Sequence, residues 1–217
     1  MRIRKKPWAD EEMALAAGTL LPGEPGGLKG RWRVEFGNNG PIHIELGCGK
    51  GRFINTLAPL NPGVNFVAVE KEPLVCVMAL KLARLGGNPP NLRFIIADVR
   101  ELSDYFEAGE VSRIYMNFPD PWHRKKRWIR RRLTHGDFLA IYETLCPNCE
   151  LFLKTDNAVF FDFSLAELTS RGWLIENVTR DLRQSGAPNV VTEYEEKFNA
   201  EGVPIMRLEA YFHKKTC

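Results

Sequence analysis

The stretch Ile42-His43-Ile44-Glu45-Leu46-Gly47-Cys48-Gly49-Lys50-Gly51 constrains the chain most. In it β-formers run into an acid and then into three glycines two apart, and the helix-competent Arg52 to Leu60 follows. The order predicts strand, tight turn and helix, an arrangement that brings bare backbone N–H groups and a helix N-terminus up to a ligand. A dinucleotide fingerprint needs glycine at the first, third and sixth positions. Counted from Gly47, the sixth position is Arg52, so the pyrophosphate pattern fails. What stands here is E-x-G-x-G-x-G. A carboxylate closing the strand repels a pyrophosphate and suits a cationic or hydroxyl-rich ligand. S-adenosylmethionine, with its ammonium, sulfonium and ribose, meets that description; a glycine turn that only reverses the chain is the alternative.

The same unit then repeats. Asn65 to Glu70 reads as a second buried strand ending in an acid, 25 residues after Glu45, where doubly wound folds grip ribose hydroxyls. Pro73 suits the first turn of a helix whose apolar spacing runs to Gly86-Gly87. A third strand, Leu92 to Ala97, ends in Asp98. Any one of these acids is equally a helix cap, but three strand ends in succession deliver a carboxylate where ligands bind in open parallel sheets. Alternating strands and helices predict an α/β fold.

The fourth strand, Arg113 to Met116, leads into Asn117-Phe118-Pro119-Asp120-Pro121-Trp122. Two prolines bracket an acid beside an aromatic, which fixes how Asp120 is presented and suits a site for a flat heterocycle; a proline turn over a buried Trp is the plainer reading. Seven basic residues follow between 124 and 132, with Trp128 among them, and four more stand in the first six positions. Because the whole chain carries only +3, the remainder sits at −8. Concentrated cations interleaved with an aromatic point to a polyanionic partner, nucleic acid before a merely solvated face.

Further along, Thr134 is placed to cap a helix from His135 to Leu145, and Cys146-Pro147-Asn148-Cys149 closes that helix without completing a zinc set. Strand five, Glu150 to Lys154, ends in Thr155-Asp156-Asn157; a helix over Val159 to Ser170 and a strand over Trp173 to Thr179 come next. Thr192 and Glu195 have the spacing of a capping box, and Ile205 to His213 alternates as a last strand.

Residues 1–40, basic at the tip and then rich in Gly and Pro, read as an arm; residues 41–217 read as one domain. Within the arm Trp32, Val34 and Phe36 alternate with charged residues, which predicts a short edge strand. No apolar run approaches membrane-spanning length, the start lacks a signal peptide's apolar stretch, and five irregularly spaced cysteines argue against a disulfide framework. A cytoplasmic protein, monomer or homodimer, with no metal and no membrane partner is expected.

Taken together, E-L-G-C-G-K-G at 45–51, Val69-Glu70, Ala97-Asp98, N-F-P-D-P-W at 117–122 with its basic continuation to R-R-L-T at 131–134, K-T-D-N at 154–157 and T-E-Y-E-x-K-F at 192–198 resemble the bacterial tRNA (guanine-N7)-methyltransferases over nearly the whole chain. The resemblance implies a Rossmann-like class I methyltransferase fold, a mostly parallel seven-stranded sheet with helices on both faces. It implies methyl transfer from S-adenosylmethionine to N7 of the variable-loop guanine, guanosine 46, of tRNA. It implies donor contacts from Glu45, Gly47, Gly49, Gly51, Glu70, Asp98 and Asp120, with Asp120 also catalytic. Substrate contacts would come from Arg124, Lys125, Asp156, Thr192, Glu193, Tyr194 and Glu195, and RNA contacts from Lys126, Arg127, Arg130, Arg131 and Arg132. The chain departs from the family in having Arg124 where a lysine is usual, so that role falls to Arg124 or slides to Lys125. For Glu195 two readings stand side by side, a capping partner of Thr192 or an acceptor for the two adjacent donors of guanine's Watson–Crick edge.

Overall fold

Leu46 to Arg52 form the turn that the rest of the first half is built around, and in the computed structural model, which describes residues 7–16, 18–21, 27–122 and 126–214, the strand before it and the helix after it fall where the sequence places them. The chain divides into two units, Met1–Tyr105 and Phe106–Cys217.

In the first unit, α1 (Pro7–Leu15) and α2 (Trp32–Phe36) precede β1 (Ile42–Leu46), α3 (Arg52–Leu60), β2 (Asn65–Glu70), α4 (Pro73–Leu85), β3 (Leu92–Ile96) and α5 (Leu102–Tyr105). β2 lies between β1 and β3, parallel to both, with Ile44 opposite Val67 and Val67 opposite Arg93. Every residue of β1 and β2 is buried, the condition of parallel strands covered on both faces, and it explains the continuous apolar run Phe66-Val67-Ala68-Val69 of β2; the alternating β1 buries His43 and Glu45 as well. Gly51 has φ +78°, and a Cβ there would stand 2.5 Å from the Ala79 Cβ on α4. Only glycine lets α3 start this close to its neighbour.

The segment read as an arm carries buried contacts. Glu12 of α1 accepts two guanidinium nitrogens of Arg84 at 2.9–3.1 Å and lies 3.4 Å from Lys81, both on α4. Leu21 donates to the Phe94 carbonyl and Phe94 donates to that of Thr19, which adds a short parallel bridge beside β3. The edge strand expected at 32–36 is instead the helix α2. Trp32 and Phe36 are spaced i, i+4 as well as alternating, and their rings meet at 5.9 Å. The fully buried Trp32 donates its indole N–H to the Tyr105 carbonyl at 2.9 Å, and Gly37 at φ +67° ends the helix.

The second unit contains β4 (Val111–Asn117), α6 (Gly136–Leu145), β5 (Asn148–Thr155), α7 (Ala158–Ser170), β6 (Leu174–Thr179), α8 (Glu193–Ala200) and β7 (Met206–His213). β4 and β5 are parallel; β7 runs antiparallel between β5 and β6. The cap of α6 is His135, whose Nδ1 accepts the Asp137 N–H at 3.2 Å, and not Thr134. Thr134 is buried and exchanges a 2.8 Å hydrogen bond with Ser164 of α7, a tertiary partner invisible in local spacing. Cys146 closes α6 by donating its N–H to the Tyr142 carbonyl; it and Cys149 are free, buried thiols.

Candidate active site

The first unit carries the predicted donor residues other than Asp120, and the second carries Asp120 with the predicted substrate and RNA residues. In the first, Gly47, Gly49 and Gly51 all have positive φ, and nothing lies within 4 Å of where a Cβ would stand at Gly47 or Gly49. That leaves a bare backbone cradle. Gly47 and Cys48 both donate to the Val69 carbonyl, at 2.8 and 3.1 Å, which ties the turn to β2. Glu70, the last residue of β2 and 8% exposed, accepts the Gly49 N–H on one carboxylate oxygen and the Glu72 N–H on the other, each at 3.0 Å. Glu45 on β1 is 2% exposed. Burial, with Glu45, Cys76 and Glu70 nearby, pushes the Cys48 thiol far up, and burial with Glu70 pushes Cys76 to about 12. A turn with this negative surrounding favours a cationic guest.

Asp98 follows β3 and caps a one-turn 3-10 helix, Val99–Glu101. Its carboxylate accepts the Arg100 backbone N–H and two guanidinium nitrogens at 2.7–3.0 Å, and this pairing with Arg100 lowers its pKa to about 2. Asp98 is therefore a carboxylate at any working pH.

In the second unit, Phe118 and Trp122 bracket the Pro-Asp-Pro segment with φ of +53° and +44°. Two bulky residues in the left-handed region within one short loop store strain, a feature concentrated at functional sites. Asp120 accepts the Trp122 N–H at 2.9 Å and is exposed. The loop is braced from the basic run: Trp128 meets the Trp122 ring edge-on at 5.6 Å, and the Arg131 guanidinium lies 5.0 Å from the Trp122 ring centroid.

The basic run divides by direction. Arg130 and Arg131 are exposed, Arg130 pairing with Asp137 at 2.9 Å. Arg132, expected to contact RNA, faces inward: it is 6% exposed, donates from Nε to the Pro121 carbonyl at 2.9 Å and lies 4.5 Å over the Phe163 ring. Burial pulls its pKa below the ordinary arginine value. A short 3-10 helix over Lys126–Arg131 has no amphipathic period from which that inward turn is legible. Arg124 and Lys125 lie outside the described residues, as do the side chains of Lys126 and Arg127.

Asp156 follows β5, half-buried, and makes no side-chain hydrogen bond among the described residues; Asn157 is the cap of α7, accepting the Phe160 N–H at 2.8 Å. Thr192 and Glu195 form the capping box of α8. Glu195 is 2% exposed, and both of its oxygens are engaged, one by the Asn189 amide and the other by the Lys154 ammonium at 3.1 Å and the Thr192 N–H. The capping reading of Glu195 is thus observed, and its Oε1, with the Asn189 amide as its one donor among the described residues, retains a second acceptor site. Glu193 and Tyr194 are the residues of this turn that face outward, Tyr194 at 60% exposure with its ring stacked 6.0 Å from Phe118. Lys154 and Asn189, which the sequence did not single out, are the partners that engage Glu195. Among the described residues no group of three or more His, Cys, Asp or Glu side chains is placed to hold a metal, and no helix is long and apolar enough to cross a membrane.

Comparison with known proteins adds to this geometry. A family model described as "Putative methyltransferase" matches residues 39–208. The chain is 45% identical to the tRNA (guanine-N(7)-)-methyltransferase of Lysinibacillus sphaericus, covering 99% of this chain and 100% of that protein. It is 47% identical to the protein of the same name from Geobacillus kaustophilus, over 97% and 96% of the two chains. Among solved structures, a 16S rRNA methyltransferase, KamB, superposes with a TM-score of 0.60 at 14% identity, covering 80% of this chain and 88% of that one. An antibiotic-related methyltransferase does so with 0.56 at 17% identity, over 98% and 96%. These likenesses show the fold, α/β and Rossmann-like, to which the mostly parallel seven-stranded sheet belongs.

Proposed function

The chain belongs to the family of tRNA (guanine-N(7)-)-methyltransferases, and from that premise we propose that it transfers a methyl group from S-adenosylmethionine to N7 of the variable-loop guanine of tRNA, guanosine 46. The observation that carries the reading is the presentation of Asp120: exposed, hydrogen-bonded to the Trp122 N–H, and set between two prolines and two left-handed residues.

The fit to the donor lies in the first unit. The cradle at Gly47 and Gly49 admits the amino-acid end, and the carboxylates of Glu45 and Glu70, which add to burial in raising the Cys48 thiol, favour its positive charges. Glu70 spends one lone pair of each oxygen on backbone N–H groups and keeps the second for ribose hydroxyls. Glu45, Gly51 and Asp98 complete this set. When bound, S-adenosylmethionine supplies an electrophilic methyl on a sulfonium.

Guanine N7 carries an exposed lone pair at neutral pH, so no base has to remove a proton before attack. The protein's task is alignment and exclusion of water. Positive charge develops on the imidazole ring of the base as the methyl arrives, and the Asp120 carboxylate stabilises it. Asp156 and the turn Thr192, Glu193, Tyr194 and Glu195 take the base and its neighbours, while Arg130 and Arg131 meet phosphates. Incubation with labelled S-adenosylmethionine and unmodified tRNA, followed by mapping of the modified nucleotide, tests this. Label at N7 of the variable-loop guanine is expected; label on an exocyclic amine, or none, overturns it.

A further inference from the structure

Phe118 follows Asn117, the last residue of β4, and stands two residues before Asp120. Its backbone sits at φ +53°, a conformation that glycine adopts freely and a bulky residue does not, so a loop needing only the turn has no use for a phenyl ring there. The ring is held nonetheless. The Phe118 N–H donates to the Lys154 carbonyl at 2.8 Å, and the ring stacks on Tyr194 and Phe198 of α8 at centroid separations of 6.0 and 5.8 Å, inclined by 25° and 30°. Tyr194 and Phe198 stack on each other in turn, at 6.4 Å and 27°. Three rings therefore share nearly one orientation, and near-parallel rings at these separations are offset, each leaving part of its face uncovered. None of the three is buried: Tyr194 is 60% exposed, and Phe118 and Phe198 are half-buried. Phenyl rings packed only for stability belong in the core; these lie at the surface, one of them two residues from an exposed carboxylate.

We propose that Phe118 is a base-stacking residue: with Tyr194 it forms the aromatic surface on which the target guanine lies, and it fixes the plane of the base against Asp120. The inference rests on the reading of the chain as an enzyme that methylates guanine N7. The N7 lone pair lies in the plane of the purine, so in-line attack requires that plane to contain the line along which the methyl arrives. Hydrogen bonds to the base edge from Asp156 and the 192–195 turn set the position of the purine within its plane but hold its tilt loosely. A ring parallel to the base removes that freedom. Every base has a π-face, so stacking orients the purine without selecting it. Selection stays with the edge contacts.

The experiment is a thermodynamic cycle between the ring and the base. Affinity for tRNA carrying either guanine or an abasic site at the target is measured with S-adenosylhomocysteine present, for wild type, Phe118→Leu and Phe118→Tyr. Stacking on an aromatic side chain is worth on the order of tenfold in affinity per base. Phe118→Leu is therefore expected to weaken guanine-bearing tRNA about tenfold and abasic tRNA by less than about twofold, the margin within which uncoupled changes add. Phe118→Tyr keeps the ring and should stay near wild type on both. The donor Kd should not move, and turnover on guanine and inosine targets should fall by the same factor in Phe118→Leu, because a ring face does not read the 2-amino group. Tyr194 is exposed, so Tyr194→Leu is expected to keep the wild-type melting temperature and to weaken guanine-bearing tRNA preferentially in the same way; it decides the matter should Phe118→Leu not fold. Equal weakening on the two tRNAs would make the ring a structural brace and overturn the proposal. So would an unchanged Phe118→Leu, or a coupling to an abasic site at a neighbouring nucleotide in place of the target. Failure of the wild type to methylate guanine N7 defeats the reading of the activity instead, and the cycle, which measures binding alone, still tests the ring.

Discussion

Glu70 accepts the backbone N–H of Gly49 at 3.0 Å, so the acid that ends β2 also shapes the glycine turn that follows β1. The proposed function gives the same side chain a second duty, toward the donor.

Glu70→Ala is accordingly expected to weaken S-adenosylmethionine by about 2 kcal/mol or more, the scale of hydrogen bonds to a charged group. Glu70→Gln, which keeps one acceptor for Gly49 or Glu72, should lose less. Calorimetry measures both, and an unchanged dissociation constant in Glu70→Ala refutes the assignment.

Asp120→Asn is expected to abolish methyl transfer while tRNA affinity stays within about threefold, under roughly 1 kcal/mol. Asparagine keeps an oxygen to accept the Trp122 N–H, so the substitution removes the charge and leaves the loop. Near-wild-type turnover would end the electrostatic account of Asp120.

The inward and outward arginines should separate by salt. Arg131→Gln is expected to reduce the slope of log affinity for tRNA against log salt by about 0.7–0.9, one phosphate contact. Arg132→Met should leave that slope alone and lower turnover, since Arg132 holds the Pro121 carbonyl. Equal changes of slope in the two variants would contradict the division.

Acid stability tests the Asp98–Arg100 pair. The folded pKa of Asp98, about 2, lies below its ordinary 3.8. The pair therefore contributes stability that is fully present above pH 4 and disappears as pH falls through about 2. Arg100→Gln should be less stable than wild type at pH 5 by under about 1 kcal/mol, because the guanidinium is exposed. The difference should vanish near pH 2. Denaturation at the two pH values checks it, and a gap that persists in acid excludes this pair as its source.

The elements nearest the glycine turn were legible almost to the residue. Arg52–Leu60 and Asn65–Glu70 are bounded by turn glycines, Asn61-Pro62-Gly63 and Pro73, local signals that no tertiary contact overrides. Trp32 to Phe36 misled because five residues satisfy the strand and helix periods at once, and only the Trp32 bond to Tyr105, distant in sequence, separates them. The candidate site divides the same way. Acids at strand ends are placed by the periodicity of the chain. Whether Arg132 and Glu195 point to solvent or inward depends on Pro121, Phe163, Asn189 and Lys154, partners that sequence spacing does not bring together.

Cys48 stands inside the turn to which an alkylating cosubstrate is assigned. A thiolate there would be a better nucleophile than any guanine nitrogen, and the protein would be exposed to methylating itself. Burial among carboxylates keeps Cys48 and Cys76 protonated at neutral pH, and it is the thiolate, not the thiol, that attacks. Burial first, and the carboxylates second, thus disarm the sulfur of the turn, which gives the glycine turn a chemical tolerance of its own reagent.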